Sequence, residues 1–252
     1  MLEQRIQSSI LGNAVRWRES VRIGPFTATF DREEDNRYLN YAIPDEEATP
    51  SSDDVAELVA AYRDRRRVPR LEYIPQLAPA VEAVLIAAGF RVEGRLPLMT
   101  CAGAGDVRRT AAEGIELVAP SSEEEYRGAA SAQWEAYGER GQPTQHAVDS
   151  LRRGVAAGGV AVLARDAGTG EPAGAGSCTV PEKGLTELTS VGVRPAFRRR
   201  GIAAAMTGWL AEQAFAGGVT GVFLMAAGRA EARIYERAGF GGQFEVLHIS
   251  ST

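Results

Sequence analysis

The chain has 252 residues, 44% hydrophobic and 24% charged, with a net charge of −5. That length allows one large domain or two small ones with separate cores, and the composition is that of an ordinary soluble globular protein. The acidic balance argues against broad nucleic-acid binding, no apolar run is long enough to span a bilayer, and the first residues, with Glu3, Gln4 and Arg5, do not read as a signal-peptide hydrophobic segment, so a cytoplasmic location is expected.

In the first half, residues 26–30 and 38–43 read as strands. From Asp31 to Glu57 ten acids stand against Arg32 and Arg37, after which arginines gather at Arg63, Arg65, Arg66, Arg67 and Arg70. The run is either a solvated loop followed by a helix end whose cations complement the dipole, or an acidic rim that attracts cationic substrates. Ser51-Ser52 caps a helix with Val55, Leu58, Val59 and Tyr62 at i, i+3, i+4 and i+7. A strand over 71–74, a helix over 77–88 and a strand over 91–99 follow.

Residues 101–114 are rich in Gly and Ala and lack periodicity, so they mark a boundary between domains at 1–105 and 113–252. Beyond them a strand is expected at 114–119. Ser121-Ser122 with Glu123, Glu124 and Glu125 opens a helix, and a second helix fits 146–157. Residues 160–165 and 173–180 form a hairpin, 185–193 a strand, 201–216 a helix, 220–226 a strand, 229–238 a helix and 243–249 a strand. The order β-α-α-β-β-β-α-β-α-β defines an α+β fold with a mixed sheet. The first half repeats the later part of this order. Both halves end a helix in Ala-Gly-Phe, at Ala88-Gly89-Phe90 and Ala238-Gly239-Phe240, where the glycine suits a left-handed cap and the Phe packs back, so a duplicated unit is expected.

Cys101 and Cys178 have no metal or redox spacing and read as buried free thiols. His146 and His248 are the only histidines, so no metal is expected. Lys183 is the sole lysine among 28 basic residues, which reads as coding bias.

The chemistry concentrates at Arg198-Arg199-Arg200-Gly201-Ile202-Ala203, between the strand 185–193 and the helix behind it. A basic, glycine-containing turn into a helix leaves free N–H groups at the positive end of the helix dipole, a seat for a pyrophosphate. The first half has acids and prolines at 45–52 instead and offers no such cradle.

With that loop, the strand Leu185-Thr186-Glu187-Leu188-Thr189-Ser190-Val191-Gly192-Val193-Arg194-Pro195 and the segment Ile234-Tyr235-Glu236-Arg237-Ala238-Gly239-Phe240, the second half resembles the GNAT superfamily of acyl-CoA-dependent N-acetyltransferases. The first half looks like a degenerate copy, as in tandem GNAT proteins. The resemblance implies a GNAT-like N-acyltransferase fold in two related halves. It also implies acetyl-CoA as acyl donor and direct attack of an amine on the thioester within a ternary complex. The pantetheine arm would pair with the backbone of Val191 and Val193, and the pyrophosphate would lie on residues 199–203, with Arg198, Arg199 and Arg200 adding charge. Tyr235 would be the general acid towards the sulfur, or would merely pack its helix on the sheet. Glu187 would be the base, usually through water, or a carboxylate facing solvent at the sheet's edge; Thr189 and Ser190 could position that water. The family often carries Asn seven residues before the Tyr, and here that place is Gly228. The acceptor would meet the first two helices and their loop, with Trp134, Tyr137, Glu135, Glu139 and Gln142; core packing is the simpler reading of Trp134 and Tyr137.

The expected activity is acetylation of a primary amine, that of a small cationic molecule, by a monomer or homodimer with neither nucleic acid nor membrane as partner. The alternatives are acetylation of protein lysines or N-termini, and a non-catalytic acyl-CoA sensor.

Overall fold

The computed structural model describes residues 1–251, the Gln243 side chain excepted. In chain order the elements are α1 (Leu2–Trp17), β1 (Glu19–Ile23), β2 (Phe26–Phe30), β3 (Ala42–Pro44), α2 (Ser52–Asp64), β4 (Arg70–Tyr73), α3 (Val81–Ala87), β5 (Arg91–Cys101) and β6 (Ile115–Val118). There follow α4 (Glu123–Ala136), α5 (Gln145–Ala156), β7 (Val160–Asp166), β8 (Pro172–Cys178), β9 (Leu185–Val193), α6 (Ile202–Ala216), β10 (Gly221–Met225), α7 (Arg229–Arg237) and β11 (Gly241–Ser250). The chain divides into two compact units, residues 1–98 with 243 onwards and residues 99–242. Among the described residues no helix is long and apolar enough to cross a membrane.

In the first unit β1, β2 and β3 are antiparallel neighbours, β3 meets β4 in parallel through Ala42↔Leu71, and β11 pairs antiparallel with β4 from Leu247↔Tyr73 to Ser250↔Arg70. The pattern of residues 1–25 gives no sign of α1 or β1. α1 buries Ile6, Ile10 and Ala14, but it also buries Gln7, whose amide donates to Pro44 O (3.3 Å) and accepts from the Ile74 N–H (2.8 Å). A helix face that includes polar groups bonded to the sheet does not register as an apolar stripe. The strand expected at 38–43 shortens to Ala42–Pro44. Buried Asn40 accepts from the Asp31 N–H and donates to the carbonyls of Glu34 and Asn36, which holds the preceding residues as a loop. The helix expected at 77–88 starts only at Val81, behind a 3-10 turn at Pro75–Leu77 and Pro79.

The charge runs resolve into local bonds. Asp31 accepts from the N–H groups of Glu33 and Glu34, Asp45 pairs with Arg22, and Asp54 caps α2. Arg70 does not decorate a helix end. It is fully buried in β4 between Glu72 (3.0 Å) and Glu93 (3.2 Å), the pairing a buried cation requires.

In the second unit the strand order is β10-β9-β8-β7-β6, with β10 parallel to β9 and the other pairs antiparallel. The chain from β6 to β11 follows the order that the sequence predicts. α6 covers one face, where Met206, Leu210, Ala211 and Ala214 pack with Val162, Ala164, Ala173 and Leu188. On the other face Ala129 and Ala132 of α4 meet Leu163 and Ala175. Cys101 and Cys178 are buried free thiols.

Residues 101–114 form part of this unit's packing. A Cβ at Gly208 would lie 2.7 Å from Arg108 O, and one at Gly239 only 1.9 Å from Asp106 O. The Arg108 N–H donates to Ala238 O at 3.0 Å. The segment is thus clamped between α6 and the end of α7.

Both Ala-Gly-Phe tripeptides close their helices identically. Gly89 has φ 90° and Gly239 φ 100°, while the Phe90 and Phe240 N–H groups reach back to Leu85 O and Tyr235 O. Each Phe is 3% exposed. The surroundings differ: a Cβ at Gly89 meets nothing within 4 Å. Gly89→Ala is therefore expected to cost only backbone strain, about 1 kcal/mol, and Gly239→Ala about 3 kcal/mol, since Asp106 must also move. Thermal unfolding of the two variants checks the ranking, and an equal loss would contradict the clamp.

Candidate active site

β9 is irregular where the sequence places the chemistry. Between Ala175↔Gly192 and Ser177↔Thr189, β8 advances two residues and β9 three. Ser190, with φ 56°, is the surplus residue of this β-bulge, at a cost of about 1–2 kcal/mol for a side chain in the left-handed region. The bulge reverses the alternation. Leu188 pairs with Cys178 on the α6 side, so Glu187 and Thr189 face the α4 side. After the bulge Val191 and Val193 pack on the α6-side core, and Gly192 faces α4, where a Cβ would lie 2.7 Å from that of Ala136.

The register of β10 on β9 runs from Gly221↔Leu185 to Phe223↔Glu187 and ends there. From Leu188 onwards β9 therefore keeps one hydrogen-bonding edge free of a neighbouring strand. The Arg194 N–H donates to Ala173 O of β8 (2.9 Å), so alternation turns the backbone groups of Val193 and Val191 to that free edge. Side chains meet it there. Gln133 Nε2 donates to Ser190 O (3.0 Å), Tyr137 Oη to Val191 O (3.5 Å) and Arg198 Nε to Val193 O (3.2 Å).

At the end of β9 a 3-10 turn, Pro195–Phe197, leads into the basic loop. Arg199 (φ 67°) and Gly201 (φ 76°) are both left-handed, and α6 starts without a side-chain cap. The Ala205 N–H donates to Gly201 O, so the N–H groups of Ile202, Ala203 and Ala204 precede the helical ladder. Left-handed turns leading into an uncapped helix start make an anion-binding concavity. A Cβ added at Gly201 would meet nothing within 4 Å, so the space before the loop is open. In the first unit the corresponding helix start is closed. Ser51 and Asp54 cap α2 reciprocally, and Asp53 adds negative charge.

The three arginines divide their tasks. Arg198 bridges Val193 O and Ala136 O (3.0 Å to the latter), tying the loop to the last turn of α4. Arg200 turns back to Glu113 O (3.2 Å) and stacks over Phe197. Arg199 is exposed and, among the described residues, makes no ion pair. The repeated arginines gave no sign of this division.

Tyr235, on α7, is half-buried against the α6-side core. Burial pushes its phenol up to about 12, with Tyr137 and Glu231 adding to the rise. Glu187 is not at a sheet edge: β9 is paired on both sides at that residue, and the side chain is half-buried. Its backbone is fixed by Thr179, which donates its N–H to Glu187 O (2.8 Å) and accepts the Glu187 N–H on its hydroxyl (3.0 Å). The Cys178 thiol is raised far above its usual range, first by burial and then by Glu187, and is no nucleophile. Trp134 and Tyr137 do not both serve the core. The Trp134 indole donates to Arg140 O (3.0 Å), and Tyr137 is 62% exposed beside the free edge of β9. Gly228 caps α7 with extended backbone (φ 178°), and a Cβ there would lie 3.4 Å from the Glu231 carboxylate.

A mixed sheet with a bulged strand, a parallel neighbour that pairs only with the first part of that strand, and an uncapped, cationic helix start at its end defines an acyl-CoA N-acyltransferase type of fold. Residues 124–240 match the model of the Acetyltransferase (GNAT) family, and this segment is a GNAT domain. Over 99% of the chain and 95% of its counterpart, the structure is similar to a GCN5-related N-acetyltransferase from Kribbella flavida, with a TM-score of 0.81 and 26% identity. A GCN5-related N-acetyltransferase from Sphaerobacter thermophilus covers 99% of the chain and 91% of its own, with TM-score 0.66 and 17% identity. A tandem GNAT protein from the clavulanic acid biosynthesis pathway covers 90% and 78%, with TM-score 0.61 and 13% identity. The last two likenesses are of fold alone. No curated protein sequence matches the chain. Members of the GNAT family use acetyl-CoA as acyl donor, and the residues at 191–203 fit such a donor: a strand edge for an amide-bearing arm beside an uncapped, cationic helix start.

Proposed function

We propose that residues 113–252 form the catalytic domain, that residues 1–105 are its degenerate copy, and that the reaction is acetylation of a primary amine on a small cationic molecule. The observation that carries this reading is the free edge of β9 beside the open start of α6. Acetyl-CoA supplies an activated thioester. The backbone groups of Val191 and Val193 pair with its amide arm, and an outward N–H on that edge stabilises the charge that develops on the carbonyl oxygen. The N–H groups of Ile202 and Ala203, with those of Arg199, Arg200 and Gly201, hold the pyrophosphate, and Arg199 adds free charge.

Glu187, on the α4 side of β9, attracts the ammonium and takes its proton, directly or through water held by Thr189 or Ser190. The neutral amine then attacks the thioester carbon, the C–S bond breaks, Tyr235 gives its proton to the departing sulfur, and the proton that the nitrogen sheds as it becomes an amide returns the Tyr235 phenolate to the phenol, directly or through water. A phenol near 12 is a weaker acid than tyrosine in water, but the same desolvation raises the thiol, so the two remain matched. Gly228, without the side chain common in the family, favours a second reading: an acyl-CoA sensor without turnover.

Thermal unfolding in the presence of acetyl-CoA, followed by CoA release with a panel of amines, tests both readings. Acetyl-CoA at a hundred times its Kd is expected to raise Tm by about 5–10 °C. Stabilisation with no turnover on any amine or peptide would support the sensor, turnover only on peptides would support protein acetylation, and no stabilisation would overturn the donor assignment.

A further inference from the structure

We propose that Tyr137 is a latch on the donor slot, holding the free edge of β9 closed and swinging away when the donor's amide arm adds to that edge. The inference rests on the reading of that edge as the donor slot. An arm that adds as a strand must donate N–H groups to outward carbonyls. These carbonyls already have partners: Gln133 on Ser190 O, Tyr137 on Val191 O, and Arg198 on Val193 O. Pairing with the arm at Val191 therefore displaces the Tyr137 hydroxyl.

The three partners differ in what holds them. Arg198 is anchored by a second bond, from Nη2 to Ala136 O at 3.0 Å. Gln133 lies within α4 and makes a 3.0 Å bond. Tyr137 has the longest contact, 3.5 Å, follows the last residue of α4, and is 62% exposed. Gly138, with φ 81°, comes directly after it. Tyr137 is thus the partner that yields, while Arg198 stays on Val193 O, leaves the Val193 N–H to the arm and keeps the loop tied to α4.

The test is titration calorimetry of the full-length wild type and Tyr137→Phe with two ligands: CoA, and 3′-phospho-ADP, which carries the pyrophosphate but no arm. The ring stays and only the hydroxyl bond is lost. CoA is expected to bind Tyr137→Phe about 3- to 10-fold more tightly than the wild type, with 3′-phospho-ADP unchanged. Unchanged or weaker CoA binding would overturn the latch, as would an equal gain for both ligands, which would mean general loosening of the site. Absence of binding by either ligand to the wild type would instead remove the donor-slot reading, and the latch with it.

Discussion

Gly201→Glu is expected to lower acetyl-CoA affinity at least about 100-fold in a protein that still folds, a difference of about 2.7 kcal/mol. The fold tolerates the change because a Cβ at position 201 meets nothing within 4 Å. The left-handed backbone there (φ 76°) costs about 1–2 kcal/mol with a side chain, and part of that returns because a carboxylate at a helix N-terminus is favourable. That favourable contact is what defeats the ligand. The new carboxylate seats itself on the N–H groups of Ile202 and Ala203, which the pyrophosphate needs, and repels what it does not block. Gly201→Asn separates charge from backbone strain, since Asn accepts the left-handed region and stays neutral; its loss should be under about tenfold. Calorimetric titration of both variants decides. Acetyl-CoA binding to Gly201→Glu within threefold of wild type would remove the loop as the pyrophosphate seat, whatever the activity.

The elements of the second unit were legible because their signals are local. Ser122 caps α4, the alternation of 185–193 marks β9, and Gly239 ends α7, each matching its expected place within a residue or two. The bulge was not legible. Nothing in Leu-Thr-Glu-Leu-Thr-Ser-Val-Gly-Val says which residue is surplus; Ser190 is chosen by Gln133 from α4 and by the fit of Gly192 against Ala136, both tertiary facts. One extra residue nonetheless decides which side chains face the core and which carbonyls face the slot.

The basic loop shows the same limit. Three consecutive arginines look equivalent in sequence, yet one braces α4, one returns to Glu113 O and one remains available. Tyr137 read as core because helical spacing places it with Trp134, and spacing cannot report that α4 ends there. In the first unit α1 carries no legible apolar stripe because its polar Gln7 is buried by its partners, the carbonyl of Pro44 and the N–H of Ile74. Periodicity sees hydrophobicity, not satisfied hydrogen bonds.

Tyr235→Phe should lower kcat about 100-fold, near the lower bound for loss of a general acid, with acetyl-CoA affinity within twofold of wild type. The ring keeps its packing on the α6-side core, so the fold gives no reason for a binding defect. The pH profile distinguishes a proton donor from a packing residue. Burial holds the phenol near 12, so Tyr235 stays protonated and kcat of the wild type should remain level up to about pH 10, where an unshifted tyrosine would already be half ionised. Glu187→Gln removes the acceptor of the ammonium proton and should lower kcat by itself, whereas Tyr235→Phe should leave the rise of kcat with pH in place. A downturn in wild-type kcat centred between pH 9 and 10 would place the donor in water rather than in the desolvated pocket of α7. Turnover of Tyr235→Phe equal to wild type would leave the tyrosine as packing alone, and the departing sulfur would then take its proton from solvent.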